Sequence, residues 1–122
     1  MSHDALIEAL SGYVKTCRLG SVNYFNSKNQ LHRIDGPAVI YPSGSVSWYR
    51  DGALHRTDGP AVIYSDGDKL WYQNGLLHRT DGPAIEFYDG SNEWHLNGIE
   101  MTEAEFNKRI AAGDYNEPRR LI

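Results

Sequence analysis

The chain holds little cysteine, little lysine and no long apolar run, and each shortage narrows what it can be. Its one cysteine, Cys17, cannot form a disulfide within the chain, which points to a reducing compartment. There are four lysines and a formal net charge of −4, so the basic stripe that marks nucleic-acid binders is missing. No segment is apolar enough to cross a bilayer. Met1 to Glu8 has neither the basic opening nor the apolar stretch of a signal peptide. There is no glycine-rich loop between a strand and a helix to cradle phosphate, and no Ser/His/Asp signature. The expectation is a cytoplasmic protein without a cofactor, a nucleic-acid partner or a membrane partner. A length of 122 residues suits one domain, 1–122, with a modest core.

What the chain has instead is glycine, tyrosine and a recurring pattern. Leu31-His32-Arg33 returns as Leu54-His55-Arg56 and Leu77-His78-Arg79, at a spacing of 23 residues. Each triplet leads into x-Asp-Gly-Pro-Ala, an apolar run, a glycine turn, a tryptophan and a second glycine. A fixed period in this range signals stacked units, whose long regular surfaces suit binding better than chemistry. The units are 31–53, 54–76 and 77–99, and 20–30 is a partial unit in which Tyr24-Phe25 stands where the others have Trp48-Tyr49, Trp71-Tyr72 and Trp94-His95.

Within each unit the apolar run reads as one strand and the tryptophan segment as a second. Ser43-Gly44, Asp66-Gly67 and Asp89-Gly90 join them, and Asp-Gly between apolar runs predicts a type I′ hairpin turn. Asp51-Gly52, Asn74-Gly75 and Asn97-Gly98 then turn the chain again. Leu6, Ile7, Leu10, Tyr13, Val14 and Cys17 fall at helical spacing and predict an amphipathic helix over 2–17 that buries Cys17. Thr102-Glu103-Ala104-Glu105 reads as a capping box opening a helix over 102–112, with Gly113 as its stop. The fold class expected is mainly β with terminal helices. It is a single antiparallel meander sheet of stacked 23-residue hairpins, flanked by an N-terminal and a C-terminal helix.

The unit resembles the MORN repeat, a short β-hairpin that stacks into a ribbon. More narrowly, Trp-Tyr-x-Asn-Gly-x-Leu-His-Arg-x-Asp-Gly-Pro-Ala resembles a repeat of small bacteriophage proteins, whose arrays end in Asn-Gly and a Thr-x-x-Glu-Phe helix, as at Asn97 to Phe106. The resemblance covers roughly residues 20–110. It implies a binding or scaffolding module, which in some MORN arrays takes lipid headgroups, and it assigns no ligand to a residue of this sequence.

Counting back from type I′ turns pairs Val39 with Trp48, Val62 with Trp71 and Ile85 with Trp94, and predicts that the tryptophan face is the core. The opposite face then carries Ile40 and Tyr49, Ile63, Leu70 and Tyr72, and at its C-terminal end Glu86, Glu93 and His95. Glu86 and Glu93 are expected directly opposite one another, an arrangement of like charge that calls for compensation. These eight residues are the candidate partner-binding surface. His32, His55 and His78 recur too far apart to converge on one ion, given strand spacings of ~4.8 Å and ligand bonds of ~2 Å. With Arg33, Arg56, Arg79, Trp48, Trp71 and Trp94 they form a structural ladder in which each arginine has an aspartate two residues on.

The function expected is non-enzymatic protein binding, in the form of a phage-type accessory protein that binds a host or phage protein and inhibits, for instance, a bacterial defence component. The alternatives are a self-assembling or virion-associated homo-oligomer and a small hydrolase using Glu86 and Glu93.

Overall fold

The computed structural model describes residues 14–115. Thirteen short strands precede one helix: β1 (Val14–Arg18), β2 (Ser21–Phe25), β3 (Val39–Ile40), β4 (Val46–Ser47), β5 (Tyr49–Arg50), β6 (Ala53–Leu54), β7 (Val62–Ile63), β8 (Lys69–Leu70), β9 (Tyr72–Gln73), β10 (Leu76–Leu77), β11 (Ile85–Glu86), β12 (Asn92–Leu96), β13 (Ile99–Met101) and α1 (Glu103–Ala112). Nine of them form one antiparallel sheet in the order β1-β2-β3-β4-β7-β8-β11-β12-β13. The chain is therefore mainly β, as expected.

Two expectations about this framework are corrected. Residues 2–13 of the expected N-terminal helix lie outside the described residues, and Val14–Arg18 is a strand paired with Ser21–Phe25. Leu19 and Gly20 both take positive φ (52° and 84°), which makes the tight two-residue link that hairpins favour. Cys17 is accordingly exposed on β1 rather than buried on a helix. The sheet is also not single, because β5 with β6 and β9 with β10 form separate two-stranded ribbons. The chain leaves the large sheet at Trp48 and Trp71. Their N–H groups still donate to Ala61 O and Ala84 O, while their carbonyls accept from His55 and His78.

The hairpin register is shifted by one residue from the expected one. Val39 lies opposite Ser47, Val62 opposite Leu70 and Ile85 opposite Glu93. The cause is the turn. At 41–45, Tyr41 N–H donates to Ser45 O and Gly44 N–H to Tyr41 O, and the same bonds recur at 64–68 and 87–91. Within each of these turns only the glycine has positive φ, so the loop has three residues and ends in a bulge rather than being type I′. Asp66 Oδ1 accepts the Asp68 N–H and Asp89 Oδ1 the Ser91 N–H, at 2.9 Å each. Such side-chain capture of the backbone two residues on favours this turn. Because facing alternates along a strand, a one-residue slip moves every side chain to the other face. True type I′ geometry is found at the outer corners, where Asp51, Asn74 and Asn97 take φ of 49°, 52° and 51° and a glycine follows each.

Burial follows this register. The enclosed residues come as Ala38-Val39, Ala61-Val62 and Ala84-Ile85, one from each face, while Trp48, Trp71 and Trp94 are half-buried. Both faces thus contribute to the core, and the tryptophan face is not the core by itself.

The Leu-His-Arg-x-Asp-Gly-Pro segments close the gaps between strands. Arg56 lies over the Trp48 ring and Arg79 over the Trp71 ring, each 3.9 Å from the ring centroid, and Arg33 covers Tyr24 at 4.0 Å. Each guanidinium also bonds through Nε to Asp35, Asp58 or Asp81 (3.0, 2.9 and 2.7 Å). Nη1 donates to the carbonyl of Pro37, Pro60 or Pro83 (3.2, 3.0 and 3.0 Å). A methyl group on Gly59 would come within 2.9 Å of Arg56 Cζ and would have to displace the guanidinium. The histidines hold the outer corners: Nδ1 of His32, His55 and His78 accepts the N–H of Asp51, Asn74 and Asn97 at 2.9, 3.0 and 2.9 Å.

At the C-terminus, Thr102 caps α1 by accepting the Glu105 N–H, Gly113 follows the last turn, and Phe106 is buried. The Glu105 carboxylate pairs with Arg109 at 3.1 Å. The helix packs against β12.

Two outcomes follow from these contacts. Gly59→Ala should displace the Arg56 guanidinium and destabilise the fold by about 1–3 kcal/mol in urea denaturation. In an Arg56→Ala background the same substitution should cost much less, and an equal cost in both would refute the contact. Burial lowers the pKa of His78 and, together with the charge of Arg50, that of His55. A base whose folded pKa is depressed lends its stability above the unfolded value and loses it as pH falls through the folded one. The thermal midpoint should therefore drop between about pH 7 and pH 5. A His55→Gln, His78→Gln variant should show a flatter slope over the same interval.

Candidate functional site

The register that shifts the strands also redistributes the candidate surface. Tyr49, Leu70, Tyr72, Glu93 and His95 stay on one side of the sheet, with Val39, Val62 and Ile85. Ile40, Ile63 and Glu86 go to the other, where Ile40 lies opposite Val46, Ile63 opposite Lys69 and Glu86 opposite Asn92. The expected strip is therefore split across two faces. Glu86 and Glu93 do not face one another. Glu86 reaches Arg79 Nη1 at 3.4 Å, and Glu93 meets His95 Nε2 at 3.1 Å. Both acidic groups thus find compensation within the chain.

On the Tyr49 side the strands enclose an open groove of about 630 Å³. It is lined by Tyr41 and Tyr64 at the hairpin ends, Tyr49 and Leu54 from the β5–β6 ribbon, Val62 from the sheet, and Ser43, Ser45 and Ser47. Tyr49 comes to face Val62 because the chain turns away from the sheet at Trp48 and pairs Tyr49 with Leu54. Tyr41 and Tyr64 are 40% and 47% exposed, more than an ordinary core would leave. Ser45 fixes one end: its hydroxyl accepts the Ser65 N–H at 2.9 Å and so ties one hairpin to the next. Asp68 does the same for Tyr88, at 2.8 Å.

Partial burial, and then the neighbouring phenols Tyr41, Tyr64 and Tyr72, raise the pKa of Tyr49. Burial followed by Tyr64 does the same for Tyr72. Tyr49 is thus within electrostatic reach of the other three phenols, and Tyr72 of Tyr64. An apolar groove lined by tyrosine rings can grip a peptide segment through ring contacts and hydrogen bonds to the phenols. It offers neither a nucleophile with an adjacent base nor a paired acid and base.

Tyr41 and Tyr64 were not among the sequence candidates. Each ends an apolar run one residue before its turn, and only the three-residue loop turns them to the same side as Tyr49 and Tyr72. Each guanidinium of the arginine row is held within the chain by a ring, a carboxylate and a carbonyl. Among the described residues one group combines metal-ligand types: Glu93, His95 and Glu100, with ligand atoms all within 4.8 Å of one another. No helix among the described residues is long and apolar enough to cross a membrane.

No family model, curated protein or solved structure matches the chain.

In a pH titration followed by phenolate absorbance, two phenols should ionise above the ordinary value of about 10. Tyr49→Phe and Tyr72→Phe should each remove one of them. A titration without a late phase would contradict the clustering.

Proposed function

We propose that the chain is a non-enzymatic, protein-binding array of stacked 23-residue hairpins, and that the tyrosine groove receives its partner. The observation that carries this reading is the groove itself: tyrosines brought together from two successive hairpins and left part-exposed beside an apolar floor. Clustered, accessible tyrosine is the composition that protein interfaces select. The bacteriophage-type repeat supports a role as an accessory protein acting in the host cytoplasm. In its specific form the partner is a component of a bacterial defence system, which the protein inhibits. The facing carboxylate pair that a hydrolase was expected to use is not formed, because Glu86 and Glu93 lie on opposite faces.

The test is a quantitative pull-down from bacterial lysate with and without defence systems expressed, comparing the native chain with Tyr49→Ala, Tyr64→Ala. Tyr88→Ala, at an exposed position (72%) outside the groove, is the control. Capture of a specific protein should fall at least tenfold in the groove variant and persist in the control. Equal capture by both would remove the groove from the function. Light scattering that shows a defined oligomer whose assembly depends on Tyr49 and Tyr64 would favour self-association.

A further inference from the structure

Resting on the reading of the groove as the partner site, we infer that its occupant is a proline-rich segment of another protein, in the polyproline II conformation, with a proline at every third residue. The period of the sheet carries this inference. Tyr41 directly follows β3 and Tyr64 directly follows β7, and β4 alone lies between those strands. Phe87 holds the same place after β11, with β8 alone between β7 and β11. The three rings therefore form a row across the sheet at intervals of two strand spacings, about 9.6 Å. A polyproline II helix turns once in three residues and rises about 9.3 Å in doing so. Every third side chain of such a segment meets the next ring with a mismatch of about 0.3 Å.

Other backbones do not keep this step. An extended strand presents a same-face residue every ~6.7 Å. Two turns of an α-helix span about 10.8 Å, so its contacts drift by more than an ångström per ring. A strand is disfavoured by its hydrogen bonds as well. The groove lies on the face of the sheet, where β3, β4 and β7 already pair with neighbours on both sides, and strand addition requires an open edge.

Polarity points to the same occupant. No carboxylate, ammonium or guanidinium lines the groove, which matches an uncharged segment. The hydroxyls of Tyr41, Tyr49 and Tyr64 have no hydrogen-bond partner among the described residues, and each can donate. A polyproline II backbone makes no internal hydrogen bonds, so its carbonyls are open to accept. Proline has no N–H to be left unpaired on an apolar surface. Aromatic-lined grooves exploit this preformed, low-entropy helix. A second copy of this chain does not supply the ligand. Its prolines, Pro37, Pro42, Pro60, Pro83 and Pro118, are never three residues apart.

The test is a titration of the full chain with a capped peptide repeating Pro-Ala-Ala, followed by NMR of the aromatic rings. A peptide repeating Pro-Ala-Ala-Ala, which breaks the period, is the comparison. The ring signals of Tyr41, Tyr64 and Phe87 should shift saturably while those of Tyr88 stay, and the three-residue repeat should bind at least fivefold more tightly. Tyr41→Ala and Tyr64→Ala, both at exposed positions, should keep near-native thermal midpoints and each weaken binding at least fivefold. Absence of saturable binding, equal affinity for the two peptides, or native affinity in both variants would overturn the proposal. Tighter binding of an amphipathic helical peptide would give the groove to a helix, and a dimer that dissociates on Tyr64→Ala would give it to a second copy; either result overturns it too. Lysate capture by the native chain and by Tyr49→Ala, Tyr64→Ala is read without these peptides, so failure of the proline ligand is distinguishable from failure of the groove.

Discussion

Arg33, Arg56 and Arg79 each touch a ring, an aspartate and a proline carbonyl at once. The ring always belongs to a residue earlier in the chain than the arginine, and the carbonyl lies just ahead of the strand that follows. One guanidinium therefore sets the distance between successive hairpins. The magnitudes say which contact matters most. A cation over a ring on a partly desolvated surface contributes about 1 kcal/mol, whereas an ion pair with an exposed carboxylate such as Asp58 contributes less. The aspartate orients the guanidinium, and the ring holds it. A side chain at the intervening glycine would press on the guanidinium.

Much of this was legible in the sequence. Strand positions, the outer corners at Asp51-Gly52, Asn74-Gly75 and Asn97-Gly98, and the capped C-terminal helix follow from spacing and turn chemistry. Two things were not. An Asp-Gly pair fits both a two-residue and a three-residue hairpin loop, and the choice rests on whether the aspartate captures the backbone two residues on, as Asp66 does with Asp68. That one-residue difference decides the facing of the whole sheet. It is why Tyr49 and Ile40 part company and why Glu86 and Glu93 never meet. The helical spacing of Val14 and Cys17 misled for another reason. Every residue of Val14–Arg18 has a partner in Ser21–Phe25, and the ladder of backbone bonds outweighs a weak local periodicity.

The groove side of the sheet changes character along its length. At positions related by 23 residues, Ser47-Trp48-Tyr49 becomes Leu70-Trp71-Tyr72 and then Glu93-Trp94-His95. The scaffold stays the same while the side chains pass from phenols over an apolar floor to carboxylates around an imidazole.

The arginine–ring contact joins neighbours in the chain and nothing further away, and this bears on how such a chain grows or shrinks. Excising 54–76 would join Ala53 to Leu77 and set Arg79 at the distance from Trp48 that Arg56 now has. Unequal crossing-over within the gene would therefore yield shorter or longer proteins whose new joint is indistinguishable from the old ones. The number of hairpins could then change in whole steps, without a damaged interior having first to be repaired.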